Sequence, residues 1–296
     1  MCSSDSRTAV VDLAGALRDV AEVEVDVTEG PDATLDRIIA AWDSAARGST
    51  VTAAGLSLPA PVDADRGAVV QASRMPGWND VAVGERITAR LGVPTVVEND
   101  ANAMALGEHY ARPDHAWDSV TVKAGTAIGC GLVVGGRIYP GSSVGAGNIT
   151  HTRVDVASAT PCSCGNLGCL ETVSSGAGIV RLLHARGIEV GSTAEVVRRA
   201  QDGDPEVSAL VRAAGGYLGA VLCTVVNLVN PGAVYLGGAL SAVEPFVAAV
   251  RGRVYEGSHP IATGQLVIDA TVTGPDAGVV GMGRLAVAAA HRGATA

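Results

Sequence analysis

The chain has 296 residues, of which 48% are hydrophobic, so it can bury a sizeable core in one large domain or two lobes. A formal net charge of −9 with no lysine–arginine run excludes a nucleic-acid groove built by this chain alone. The start, MCSSDSRTAVVDLAG, lacks the form of a signal peptide, and no 18-residue apolar run is free of charged or polar interruption, so no membrane span is expected; six cysteines are too sparse for a disulfide scaffold and point to a reducing cytoplasm.

Strand-like, β-branched runs occur at TAVVDL (8–13), AEVEVDV (21–27), VTAAGLSLP (51–59) and PTVVEND (94–100). Helical patterns lie at 32–46, opened by Pro31 and Asp32 and stopped at Gly48, and at 80–91 and 100–111. A polar hinge, ARPDHAWDS (111–119), is followed by SVTVKAGTAIGCGLVVGGRIY, two runs split by glycine-rich turns. Helices are expected near 170–186, 192–202 and 205–229, then a buried-type strand AVYLGG, then helices near 241–255 and 276–294. Strands alternating with helices indicate an α/β fold with mixed sheets. The expected division is an N-terminal lobe over 1–115, a second lobe over 116–275, and a last helix, 276–296, returning to the first lobe.

Three cysteines, at 162, 164 and 169, bracket a Gly-Asn-Leu-Gly turn, with His151 just upstream. Thiolates and a neutral imidazole are good zinc ligands, and a Cys₃His set closed by four protein ligands leaves no position for water, so such a zinc is structural. Three unrelated buried thiols are the plainer alternative, but three of the six cysteines fall within eight residues of a polar, glycine-rich loop.

KAGTAIGCG (123–131) places glycines at 125, 129 and 131 after a strand, where backbone N–H groups and the Thr126 hydroxyl can approach phosphate oxygens; a glycine-rich hairpin turn reads the same way. YLGGAL (235–240), with Gly237 and Gly238, is a second such junction, equally readable as a tight strand–helix turn. In VVENDANAMALGE (96–108), Asp100 falls at the N-cap of a helix, where it either caps that helix or serves as a general base at a strand end.

Together, VENDANAMALGE, KAGTAIGCGLVVGGRIYPG, the histidine-plus-cysteine segment through CSCGNLGCLET, and NPGAVYLGGAL resemble the ROK family (repressors, open reading frames and sugar kinases) over about residues 8–290. The resemblance implies a two-lobed, actin-like (ribonuclease H-like) ATPase fold. It implies that Asp100 is the base that deprotonates a sugar hydroxyl for attack on ATP and that Asn99 is a sugar ligand. It makes His151 a residue of both zinc and sugar, Glu171 another sugar contact, 125–131 a phosphate loop and 236–239 an adenosine-side turn. HTRVD and PCSCGNLGCLE look closer to the family's regulators than to its glucokinases. Dimers are usual in the resembling family.

Two departures bear on activity. The Asp-x-Gly-Gly-Thr turn that handles Mg-ATP in the family's kinases has only Asp12-Leu-Ala-Gly15-Ala16 as a counterpart, which fits the family's second-strand hairpin better. The N-terminal lobe is therefore expected to lack its first strand and first phosphate loop, as well as the regulators' winged helix. The family's Glu-x-Gly-His stands here as Asn148-Ile-Thr-His151, an amide in place of a charged sugar acceptor. The expectation is a sugar-sensing module with structural zinc, non-catalytic or weakly active; the alternative is an ATP- and Mg²⁺-dependent hexose or N-acetylhexosamine kinase. A cleft between the lobes is expected to bring Asn99, Asp100, His151 and Glu171 to one hexose.

Overall fold

The computed structural model describes residues 3–112 and 118–294; residues 113–117, the middle of the expected polar hinge, lie outside the described residues. In chain order the elements are β1 (Ser3–Val11), β2 (Leu17–Asp26), α1 (Pro31–Ala45), β3 (Ala54–Leu58), β4 (Val62–Asp63), β5 (Ala68–Val69), α2 (Val83–Leu91), β6 (Thr95–Asn99) and α3 (Asp100–Ala111). They continue with β7 (Ser119–Ala124), β8 (Ile128–Val134), β9 (Arg137–Ile138), α4 (Glu171–Ser174), α5 (Gly176–His184), α6 (Thr193–Gln201) and α7 (Pro205–Val229). The last are β10 (Ala233–Gly237), α8 (Glu244–Gly257), α9 (Pro260–Thr263), β11 (Val267–Ala270) and α10 (Ala277–Ala294). The chain divides into two compact units: Met1–Ala111 with Pro140–Gly145 and Pro275–Ala296, and Arg112–Tyr139 with Ala146–Gly274.

In the first unit β1 and β2 form an antiparallel hairpin, and β3 pairs in parallel with β6. The Asp12 turn joins the hairpin, and its carboxylate is taken by its own turn, accepting from Ala14 N at 3.0 Å and Ala16 N at 2.9 Å. Leu35 and Ile38 of α1 pack with Leu56, Leu58, Val97 and the buried Trp78, whose indole N–H donates to the Val27 carbonyl at 2.8 Å. Helices α3 and α10 meet backbone to backbone. A Cβ built on Gly107 would lie 1.9 Å from the Ala277 carbonyl oxygen, and one on Gly281 would lie 1.9 Å from that of Ala103. Only residues without a side chain permit that approach, and it holds the helix that begins at Asp100.

The second unit is built on a five-stranded sheet in the order β11-β10-β7-β8-β9, parallel across β11-β10-β7 and antiparallel across β7-β8-β9. Val120, Val122, Leu132, Val234 and Leu236 pack with Leu218 and Leu222 of α7 and Phe246 and Val250 of α8. Helix α7 starts at Pro205 behind an Asp204 cap that accepts from Glu206 N and Val207 N, and it stops at Asn230 in the left-handed region, φ 51°. By length and composition α7 could cross a membrane, but half of its apolar stretch is buried in this core, as in the central helix of a globular unit.

The helix expected over 170–186 is two helices. Ser175, at φ −80° and ψ 157°, interrupts it, and its hydroxyl caps α5 by accepting from Gly178 N at 3.0 Å. Strands β4 and β5, two residues each, are too short to carry a periodic signal.

Candidate functional site

The cysteine loop, the candidate metal loop, is assembled by backbone pairing. Leu170 N donates to the Thr152 carbonyl at 2.8 Å and Val154 N to that of Gly168 at 2.8 Å, so the stretch after His151 runs beside the stretch ending in Cys169. Within the loop, Cys162 N donates to the Asn166 carbonyl at 2.9 Å and Gly165 N to that of Cys162 at 3.0 Å, which turns Cys164 back toward Cys169. One ligand atom from each of His151, Cys162, Cys164 and Cys169 lies within 4.8 Å of the others. The Cys162 sulfur is 3.5 Å from His151 Nδ1, and the sulfurs of Cys164 and Cys169 are 3.6 Å apart. Tetrahedral zinc with metal–ligand lengths of about 2.0–2.3 Å requires edges of roughly 3.5–3.8 Å; these two separations match such edges, and the four residues together could hold such an ion. Burial, then the neighbouring Cys164 and Cys162 sulfurs, push the Cys169 thiol up to about 12; a divalent cation among the sulfurs offsets that penalty and favours the thiolates.

Past the loop, Glu171 opens α4 with its carboxylate buried. Its Oε2 accepts from the Thr150 hydroxyl at 2.8 Å and from the backbone N–H of Ile128 at 3.0 Å. Asn148, just before the 3₁₀ turn Ile149–His151, is exposed and makes no capping bond.

Of the glycine run expected over 125–131, only 125–127 form a loop. Gly129 and Gly131 are ladder residues of β8, opposite Lys123 and Thr121, because the chain re-enters the sheet at Ile128. The loop is clamped to the start of α5: Gly176 N donates to the Gly125 carbonyl at 2.8 Å and Ala177 N to that of Thr126 at 3.0 Å. The Thr126 and Thr193 hydroxyl oxygens are 3.2 Å apart. Gly237 ends β10 opposite Lys123, and Gly238 turns away at φ 82°, where a Cβ would lie 2.6 Å from the Ala124 carbonyl oxygen. The two glycine junctions, far apart in sequence, therefore meet at one end of one sheet.

In the first unit the β6–α3 junction differs from its expectation. Asn99, not Asp100, caps α3: its Oδ1 accepts from Ala101 N at 3.0 Å and Asn102 N at 3.2 Å, and its Nδ2 donates to the Ala60 carbonyl at 3.0 Å. Asp100 is the first helical residue and partly exposed. Sequence reasoning passed over Glu98, which is buried and accepts from Asn99 N at 2.7 Å and from the Asn102 amide at 3.0 Å. Burial raises its carboxyl above the ordinary range, against hydrogen bonds from Asn102 and Asn99 that lower it. The signal that could have found it is an acid inside an otherwise apolar strand.

These units have the α/β make-up of the actin-like, two-lobed sugar kinase fold. The ROK family model matches residues 3–289, and the chain belongs to that family. It is 29% identical, over an alignment 301 positions long, to a glucokinase of Halalkalibacterium halodurans, covering 94% of this chain and 91% of that protein. Among solved structures, the ROK glucokinase of Streptomyces griseus in complex with glucose and AMPPNP superposes with a TM-score of 0.81 at 29% identity over 95% of each chain. A ROK transcriptional regulator described as a homologue of the E. coli MLC protein superposes with a TM-score of 0.82 at 28% identity over 96% of this chain and 75% of its own.

Proposed function

We propose that this chain is a carbohydrate-sensing ROK protein that binds a hexose-type sugar and transfers phosphate slowly or not at all. A structural zinc ion held by His151, Cys162, Cys164 and Cys169 would fix the imidazole that faces the sugar. By the family resemblance, Asn148, His151 and Glu171 of the second unit and Asn99 and Asp100 of the first are the candidate sugar-contact residues, with Asp100 able to accept a hydroxyl proton. The observation that carries the reading is Asn148, an exposed amide where the motif of the resembling kinases has a carboxylate. A neutral acceptor contributes about 0.5–1.5 kcal/mol and a charged one about 1.5–3 kcal/mol.

The second reading is an ATP-dependent sugar kinase, and the nearly full-length match to a glucokinase favours it. On that reading the loop of Gly125 and Thr126, with Gly129 and Gly131 behind it in the sheet, and Gly237 and Gly238 would hold ATP with Mg²⁺. Phosphoryl transfer depends on positioning the phosphates and neutralising their charge. A coupled assay over a panel of hexoses and N-acetylhexosamines, run beside calorimetric sugar titration, separates the two. Sugar binding with turnover far below the ordinary median of about 10 s⁻¹ is the expected result. Turnover near that median establishes the kinase instead.

A further inference from the structure

Glu171 connects two parts of the second unit that sequence separates by 43 positions. It stands two residues after the metal-loop cysteine Cys169. One oxygen of its carboxylate, Oε2, accepts both from Thr150, the neighbour of His151, and from the amide of Ile128, which closes the glycine loop. Four residues further on, the Ser175 hydroxyl donates to the Glu171 carbonyl at 2.7 Å and caps α5, whose first two amides hold the carbonyls of Gly125 and Thr126. The fastenings at 125, 126 and 128 thus come from Gly176, Ala177 and Glu171, all within the seven residues 171–177.

We propose that Glu171 is a positioning residue that joins the metal loop to the glycine loop, so that occupancy of the Cys₃His site sets the order of residues 125–128. This rests on the metal reading given above. With the ion in place, Cys169 and His151 are fixed. Glu171 and Thr150, two residues from Cys169 and one from His151, then present a closed acceptor–donor pair to Ile128. When the ion leaves, the sulfurs separate, the 168–170 stretch loses its hold on 152–154, and the Ile128 amide loses a fixed acceptor. Thr150 belongs to this arrangement because it stands where the resembling motif has a glycine, which has no hydroxyl to give. The consequence for ligands is reciprocal: a metal that orders the loop favours phosphate at it, and phosphate at the loop tightens metal binding by the same factor.

Amide hydrogen exchange on the whole protein tests this without any assay of turnover. Chelation should speed exchange at Ile128, Gly176 and Ala177 by about tenfold or more, the scale of losing one hydrogen bond to a charged group, while amides of β10 stay unchanged. In Glu171→Gln, which keeps an oxygen acceptor but loses its charge, the Ile128 amide should already exchange several-fold faster with the metal still present at one equivalent. Chelation that loosens 162–169 but leaves 125–128 unchanged overturns the proposal. If chelation unfolds the unit, so that β10 exchanges as well, the metal-loaded Glu171→Gln decides: unaltered exchange at Ile128 overturns the linkage, and faster exchange supports it. If elemental analysis finds no metal and chelator changes nothing at 162–169, the metal reading fails, and the same variant still reports on the Glu171–Ile128 bond.

Discussion

Residues 147–177 of the second unit and residues 96–108 of the first both bring polar side chains out of an apolar core, but they spend those side chains differently. In the first stretch the backbone does the folding, through pairs such as Leu170–Thr152 and Val154–Gly168, and it leaves three sulfurs and an imidazole facing one another. In the second, the side chains do part of the folding: Asn99 caps α3 and holds the Ala60 carbonyl, and Glu98 holds Asn99 N and Asn102. Identical chemistry can be a ligand set or a structural cap, and what decides is whether backbone groups nearby are already satisfied.

The largest effect that sharpens this contrast is expected in the metal loop. Cys169→Ser should drop metal content from about one equivalent to near zero and destabilise the second unit by more than about 4 kcal/mol, since loss of a metal belongs to the short class of severe changes. Elemental analysis together with denaturant melts reads both, and retained stoichiometric metal contradicts the assignment. In the first unit, Gly281→Ala drives a methyl group into the Ala103 carbonyl and should cost about 3 kcal/mol; a neutral result in chemical denaturation would refute the close crossing of α3 and α10. Asn99→Ala should cost less, about 1–2 kcal/mol, the scale of a lost helix cap. If it instead leaves stability unchanged and only weakens sugar binding, the cap is incidental and Asn99 is a ligand first.

The smallest effect depends on pH. Burial raises the Glu98 carboxyl above a glutamate's ordinary 4.5, so on raising the pH the unfolded chain ionises there before the folded one. The folded state binds the extra proton, and stability present below about 4.5 is lost as pH rises through the folded value. Glu98→Gln retains an acceptor for Asn99 N without that loss. Its stability relative to the parent should therefore improve between pH 4 and pH 8, as read by melts at both ends, and a pH-independent difference would show that Glu98 titrates normally.

The contrast also explains what could be read from sequence. The Cys₃His set was legible because three ligands fall within eight residues and the fourth is eleven positions before the first. The hairpin β1–β2 and helices α1, α3 and α7 were legible from alternation, caps and length. The bond from Ile128 to Glu171 was not, because a backbone amide has no residue-type signature and its partner is 43 positions away. The cap of α3, read at Asp100, falls one residue earlier at Asn99, since asparagine and aspartate are equally good caps and stand side by side at 99 and 100. The interruption at Ser175 was written in Ser-Ser-Gly, a start signal lying inside a pattern that otherwise reads as one helix.

The central claim, a sugar-binding protein whose grip is loosened at one position, is tested most directly by calorimetric titration of the tightest-binding hexose into the parent chain and into Asn148→Glu. Asn148 is exposed and without a capping bond, so the longer acid can be placed there without displacing a partner. The account predicts measurable binding by the parent and about fivefold tighter binding by the variant, equivalent to about 1 kcal/mol, with phosphorylation still slow in both. No binding by either chain, or weaker binding by the variant, would contradict it.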